Sequence, residues 1–383
     1  MATRNISQDV DLLGILREKL TVLSDFKTLA LELIQNAEDA KANYISFKFT
    51  EKALIVENNK QFSDSDFKRM QKIAGGAKRE EKDTIGKFGI GFISVYLITD
   101  HPQIISSGKH WTFNPEKSAE DRIFEVDVEL KDNFTQFIFP WAHEESEIRK
   151  KLDVSIINQE NIATYIQELT DYLPNVLIFL KNLSSIEIIF NNNKIVVCRK
   201  GSYISDDEIV IQYNEEIHQY YILKSSFNPP NHPYADKKSN SVYIALPKND
   251  LRIAGLLYIF LPTNIATDLP FHINADFEPE SDRRSIVYDG IDYKVEWNRR
   301  ALESIGSLLA HSVMQIRDIL GPVIFFQLLK SIFDKKDVHK YFKNFWGLIS
   351  QYLINKPIIY SNRGTWVESK NVFRLSTEAE HEY

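Results

Sequence analysis

Residues 32–40 read Glu-Leu-Ile-Gln-Asn-Ala-Glu-Asp-Ala, inside a run from 26 to 42 whose apolar residues recur every three or four positions. That period predicts an α-helix, with Ser24 or Asp25 able to cap its start. Glu32, Asn36 and Asp39 stand at i, i+4 and i+7 and share one face, while Leu33, Ile34 and Ala37 point elsewhere and can anchor the helix in a core. Taken alone, such a stripe is more often the solvated side of an amphipathic helix. If it is buried, three polar groups need a polar partner.

Working outward, residues 8–20 carry the same helical period. YISFKF (44–49) and ALIVEN (53–58) alternate as strands around a Thr-Glu-Lys turn, and Ser63 with Asp66 resembles a capping box opening a helix to about Ile73. Residues 74–85 are charged and glycine-hinged, which suggests a mobile loop. GKFGIGFISVYLI (86–98) follows, a glycine-rich turn entering an apolar helix. FEVDVEL and TQFIFPW read as strands, 159–182 as a helix and SSIEIIF as a further strand. NNNK at 191–194 marks a tight turn. Beyond 200, strands are expected near 208–213, 219–224, 242–246 and 255–261, then FHINADFEPESDRRSI, then helices from about 292 to 355.

Length and composition bound the answer. A chain of 383 residues exceeds one ordinary core, so two domains are expected, 1–200 and 201–383. Hydrophobic content of 43% and charged content of 26% are those of a folded globular protein, and a net charge of −7 weighs against a general nucleic-acid binder. A single cysteine, Cys198, excludes an internal disulfide framework and a cysteine zinc cage; within IVVC it reads as a small core residue. The start MATRNISQDVDLLGIL lacks a signal-peptide core and no window reaches the length of a membrane span, so a cytoplasmic location is expected. The abrupt end in STEAEHEY suggests a piece of a longer protein. His101, His110, His143 and His272 show no metal-ligand spacing.

Gly86, Gly89 and Gly91 are spaced so that backbone N–H groups can approach phosphate. A glycine run alone is often a packing turn. No Gly-Lys-Ser/Thr ends it, so it is not a Walker loop, and it follows a charged loop rather than a strand, which disfavours a dinucleotide fold. The order carries more than either motif. A Glu-x-x-x-Asn-x-x-Asp-Ala helix, a strand and turn, a flexible loop, then G-x-x-G-x-G entering a helix resembles the gyrase, heat-shock-chaperone, histidine-kinase and MutL (GHKL) ATPases. Within them the runs 56–78 and 85–108, and the later stretch from FLPTN through LPFHINADFEPESDRRSI to VEWNR, are similar to the sacsin-type ATP-binding repeats, and next to the ninety-kilodalton chaperones.

The resemblance implies an α+β fold: a Bergerat-type ATP-binding sandwich, a mixed sheet with helices on one face, followed by a second α/β domain with a helical tail. It implies ATP and magnesium (Mg2+) as cofactors, with slow hydrolysis coupled to lid closure, and self-association or a client protein as partners. In that frame Glu32 is the general base, Asn36 holds magnesium, and Asp39 with Ala40 lines the nucleotide pocket. Gly86, Gly89, Gly91 and Phe92 wrap the phosphates under a lid of residues 74–85, and Thr135 supports an adenine-sensing carboxylate. That carboxylate normally opens a D-x-G-x-G turn; here the turn is ENNKQF, and Glu57 or Asn59 takes the position depending on the spacing used. In the second domain, near Asp276, Arg283 or Arg284 would reach the terminal phosphate, or would pair with Asp282 or Glu280. A non-hydrolysing nucleotide-binding module is the alternative.

Overall fold

A computed structural model describes residues 11–21, 25–71, 91–129, 133–233, 235–248, 253–280, 285–334, 341–342 and 344–372. The chain divides into two compact units: residues 1–200 with 211–217, and residues 201–210 with 218–383.

In the first unit the helix pattern around residues 32–40 becomes α2 (Phe26–Asp39), after α1 (Leu12–Leu20). Asp25 caps α2 by accepting from the Thr28 N–H at 2.7 Å. The hairpin β1 (Tyr44–Phe49) and β2 (Ala53–Asn58) follows, its turn held by Thr50 Oγ1, which accepts from the Ala53 N–H at 3.0 Å. The capping box forms: Ser63 N–H donates to Asp66 Oδ2 at 2.8 Å at the start of α3 (Asp64–Met70). A 3₁₀ helix, Gly91–Leu97, then leads to β3 (Gln103–Ser106), β4 (Lys109–Phe113), β5 (Ile123–Asp127) and β6 (Thr135–Pro140). Next come α4 (Glu147–Leu152), α5 (Gln159–Val176), β7 (Ser185–Phe190) and β8 (Asn193–Lys200).

These strands make a mixed sheet in the order β8-β7-β1-β2-β6-β3-β4-β5, antiparallel except for the parallel β1–β7 pair. Helices α2 and α5 pack over the face that carries Ile45, Phe47 and Phe49, where Phe26 stacks on Tyr165 at 4.3 Å between ring centroids. The other face is half-exposed, with Ile55, Glu57, Gln136 and Ile138 alternating out of the core.

Several expectations shift for local reasons. Helix α5 stops at Val176 rather than 182, two residues after the internal Pro174, and the chain from Leu177 to Leu180 is fully buried as a connection to β7. Strands β3, β4 and β8 are additional. The expected turn at 191–194 is present, with Asn191 and Asn192 at positive φ (45° and 62°). Cys198 is half-buried rather than core: in β8 the buried side chains are Val197 and Arg199, and Cys198 alternates to the more open face, where its Sγ lies 3.6 Å from Ser185 Oγ.

Strands β9 (Glu208–Tyr213) and β10 (Glu216–Ser226) each have residues in both units, since 211–217 belong to the first, and the second unit further contains β11 (Ser241–Pro247), β12 (Leu256–Ile259), β13 (Leu261–Ala266) and β14 (His272–Ala275). The order is β13-β12-β14-β11-β10, with β12 and β14 parallel. The single strand expected at 255–261 breaks at Phe260, whose φ of 64° turns the chain between β12 and β13. Helices α6 (Tyr293–His311), α7 (Val313–Asp334) and α8 (Phe345–Leu353) follow, α7 interrupted at Gly321-Pro322. A short hairpin, β15 (Pro357–Tyr360) and β16 (Trp366–Glu368), comes last. The core lies between the sheet face bearing Val242, Ile244, Leu257 and Ile273 and the α6 side chains Trp297, Leu302 and Ile305. The coarse class, α+β with a large mixed sheet, is therefore as the sequence reads, and no described helix is long and apolar enough to cross a membrane.

Candidate functional site

The polar stripe of α2 is buried. Glu32 is 9% exposed and Asn36 7%, while Asp39 and Ala40 at the helix end are half-buried. A fourth member escaped the sequence reading: Gln35, also 7% exposed, stands three residues after Glu32 and falls within the same arc of the helix. The side-chain amides of Gln35 and Asn36 make no hydrogen bond to another described residue, and neither is fully enclosed, so the polar atoms of this largely buried stripe keep some access to solvent.

One turn of the stripe has a separate role. Glu38 is 2% exposed, and its Oε1 accepts from the backbone N–H of Lys181 and of Asn182 (both 2.8 Å) and from Asn182 Nδ2 (2.9 Å). Its Oε2 accepts from the Leu183 N–H at 2.8 Å. A carboxylate thus holds the turned segment before β7 against the C-terminal end of α2. No sequence signal short of knowing that pairing marks Glu38 out from Asp39.

The 3₁₀ helix that begins at Gly91 packs against α2. The Phe92 ring is buried among Phe113, Phe137 and Phe139, at centroid distances of 5.5, 6.3 and 6.5 Å, so its main chain is what it offers to a ligand. Gly86, Gly89, the loop 74–85, and Arg283 with Arg284 lie outside the described residues.

At the end of β2 the register decides which side chains meet. Asn58 pairs with Thr135 and Glu57 with Gln136. Because side chains alternate, Asn58 (4% exposed) and Thr135 (1%) share the helix-covered face, and Glu57 lies on the opposite one, accepting from Gln136 Nε2 at 3.0 Å. Asn59 is exposed, with Oδ1 accepting from the Asn43 N–H at 3.2 Å and Nδ2 donating to Asn43 Oδ1 at 2.5 Å. Thr135 Oγ1 donates to the Lys60 carbonyl at 2.7 Å and sits 2.8 Å from Ser106 Oγ, which in turn accepts from the Phe62 N–H at 2.9 Å. Asn58 Oδ1 accepts from the Lys60 N–H at 3.0 Å. This network shapes the ENNKQF turn without glycine: none of residues 57–62 has positive φ. Asn58 and Ser106 are the members that a motif reading misses.

In the second unit, the Asp276 carboxylate receives Lys238 Nζ at 3.1 Å and the Ser239 N–H at 3.1 Å, and burial nonetheless raises its pKa. Lys238 also meets Glu278 at 3.2 Å. The histidines occupy ordinary positions. His110 Nε2 lies 3.0 Å from Gln103 Oε1, His143 Nδ1 lies 2.7 Å from the Ile157 carbonyl, and His101 Nδ1 lies 3.3 Å from that of Phe113. His272 is enclosed, its Nδ1 accepting from the Leu256 N–H at 3.1 Å. Among the described residues no group of three His, Cys, Asp or Glu side chains is placed to hold a metal.

Comparison with known proteins gives a partial match. Residues 9–122 match the Sacsin domain family model, a stretch that includes the α2 stripe and the Gly91 helix. Human sacsin (Homo sapiens) is 23% identical, over an alignment covering 73% of this chain and 8% of sacsin. Protein NO VEIN of Arabidopsis thaliana is 33% identical over 90 residues, covering 22% of this chain and 3% of that protein. The chain therefore spans less than a tenth of the length of the curated relatives it matches. Among solved structures, the N-terminal domain of a DNA repair protein superposes with a TM-score of 0.43 at 13% identity, covering 73% of this chain and 92% of that one. The chain is thus sacsin-like in its first unit.

Proposed function

We propose that the first unit is a GHKL-type nucleotide-binding module that takes up ATP with magnesium and hydrolyses it slowly, in the manner of a chaperone-like clamp. The observation that carries this reading is the largely buried polar stripe of Glu32, Gln35 and Asn36, whose two amides make no hydrogen bond to another described residue, on a helix against which the Gly91 helix packs. The donor set fits the group: amide and carboxylate oxygens are the hard ligands that magnesium takes, in company with substrate phosphates. Asn36 would hold the ion, which when bound neutralises phosphate charge. Glu32 would orient a water molecule and accept its proton, and Asp39 and Ala40 would border the nucleotide. Asn58, on the face of Thr135, would meet the base edge. Support from relatedness is the Sacsin domain match across both motifs.

The test is calorimetric titration of the full chain with ATP and magnesium, followed by phosphate-release kinetics on Glu32→Ala. The reading predicts measurable ATP affinity, nearly unchanged in the variant, with turnover reduced about 10²–10⁴-fold because a positioned base is lost. Equal phosphate release by wild type and variant would leave only a non-hydrolysing binding module. Absence of ATP binding in the wild type would remove both readings.

A further inference from the structure

Strand β5 (Ile123–Asp127) ends the sheet of the first unit, and among the described strands it pairs only with β4. An open edge offers its N–H and C=O groups to another strand, and such edges are usually blunted by proline, lysine or a bulge. The edge strand β13 of the second unit carries Pro262. β5 reads Ile-Phe-Glu-Val-Asp, without proline or lysine, and its register with β4 runs unbroken from Lys109–Asp127 to Phe113–Ile123. It also exposes apolar side chains: Phe124 is 67% exposed and Val126 43%. Both stand on the half-exposed face of the sheet, in line with His110, Ile105 and Gln136.

Two flanking bonds fix which main-chain groups point outward. The Asn114 N–H donates to the Arg122 carbonyl at 2.8 Å, and the Val128 N–H to the Gly108 carbonyl at 2.9 Å. Bonded and unbonded pairs alternate along an antiparallel ladder. Arg122, Phe124, Val126 and Val128 therefore turn their main-chain groups toward β4, while Ile123, Glu125 and Asp127 turn theirs to the open edge.

This edge is complementary to itself. With a second copy laid antiparallel and Glu125 opposite its own counterpart, the two Glu125 residues exchange bonds and Ile123 exchanges bonds with Asp127 at both ends. Every outward group is then paired; a slip of two residues would strand Ile123 or Asp127 of each copy. Phe124 meets Val126 of the second copy in the unbonded pairs, where side chains come closest, and this aromatic–β-branched match is made twice. Like charges directly opposite would repel. Each Glu125 is answered within its own copy, where Oε2 accepts from Trp111 Nε1 at 2.5 Å and lies 3.2 Å from Lys109 Nζ.

We propose that β5 is a self-association edge: two copies of this chain join antiparallel through Ile123–Asp127 about a two-fold axis at Glu125, and the sheet of the first unit continues from one copy into the other. The occupant is a second copy because the register that pairs every outward group also repeats one side-chain match about the axis, as a two-fold interface requires. One pair of short strands makes a small interface, so the dimer is reversible rather than obligate. The inference owes nothing to nucleotide binding.

The test is sedimentation equilibrium of the full chain from about 1 μM to about 1 mM, with the mass rising from 44.5 kDa toward twice that value. Asp127→Pro removes an outward N–H that β4 does not use, and Phe124→Lys puts a charge in the apolar pair; each should weaken association about tenfold or more. Circular dichroism checks that both variants are folded. Cysteine linking reads the register. Glu125→Cys places two Cα atoms about 5.5 Å apart across the axis, within disulfide range, and mild oxidation should give a linked dimer on a non-reducing gel. Ile123→Cys places them about 13 Å apart and should stay monomeric there, as should the wild type with its Cys198. A wild type monomeric at about 1 mM overturns the proposal and leaves the edge to a segment of another protein. A dimer indifferent to both Asp127→Pro and Phe124→Lys, or linking through Ile123→Cys as readily as through Glu125→Cys, overturns it too.

Discussion

Replacing Glu38 by Gln tests how α2 is held. The carboxylate serves three backbone donors and one side-chain amide: Lys181 N–H, Asn182 N–H and Asn182 Nδ2 on Oε1, and Leu183 N–H on Oε2. A glutamine in its better orientation keeps an oxygen at the first site and turns its NH2 toward Leu183, which is fully buried. One enclosed donor then faces another donor, costing about 1–3 kcal/mol, and the bonds that remain lose their charge assistance, about 1 kcal/mol each. Together these amount to about 4–6 kcal/mol of local stability. Because about 1.4 kcal/mol is a factor of ten, amide exchange in 177–185 and at the end of α2 should accelerate by about three to four orders of magnitude. Hydrogen–deuterium exchange read by mass spectrometry on peptides covering these stretches measures this directly, without requiring the two units to unfold together. A change below about 1 kcal/mol would mean that water replaces the carboxylate, and that Glu38 does not set the helix end.

Two further perturbations follow from the same geometry. In Asn58 the oxygen is committed to the Lys60 N–H, so the amide offers a donor to a base, and purine preference should be weak. Asn58→Asp replaces that donor with an acceptor for the adenine amino group and should raise ATP over GTP by about 1.5–3 kcal/mol in competition binding, with Glu57→Gln and Asn59→Asp as unchanged controls. An ATP/GTP ratio unmoved by Asn58→Asp, or moved by Glu57→Gln, would place the base elsewhere. In the second unit, burial lowers the His272 pKa from 6.5 to about 3. The unfolded chain therefore binds more protons between those values, so stability present above pH 6.5 is lost as pH falls toward 3, by up to about 1.4 kcal/mol per unit. His272→Gln should flatten that slope in exchange measurements over 256–277; an identical slope would assign the titration to other groups.

Much of the first unit was legible locally. The 3.6-residue period of α2, the Asp25 cap, the alternation of β1 and β2, and the Ser63–Asp66 box are interactions between near neighbours, so the residues that specify them are adjacent in the sequence. The burial of Glu32 and Asn36 was only conditional there, since a polar stripe reads the same whether solvent or protein covers it. Tertiary structure decided the rest. Which of Glu57, Asn58 and Asn59 faces Thr135 depends on strand register, and a slip of one residue would exchange the faces. Glu38 and Arg149 look like ordinary helix-surface charges until chain segments distant in sequence bring backbone donors to one and backbone carbonyls to the other. A local pattern cannot encode such partners, because the groups that satisfy these charges belong to the main chain, which has the same N–H and C=O at nearly every residue.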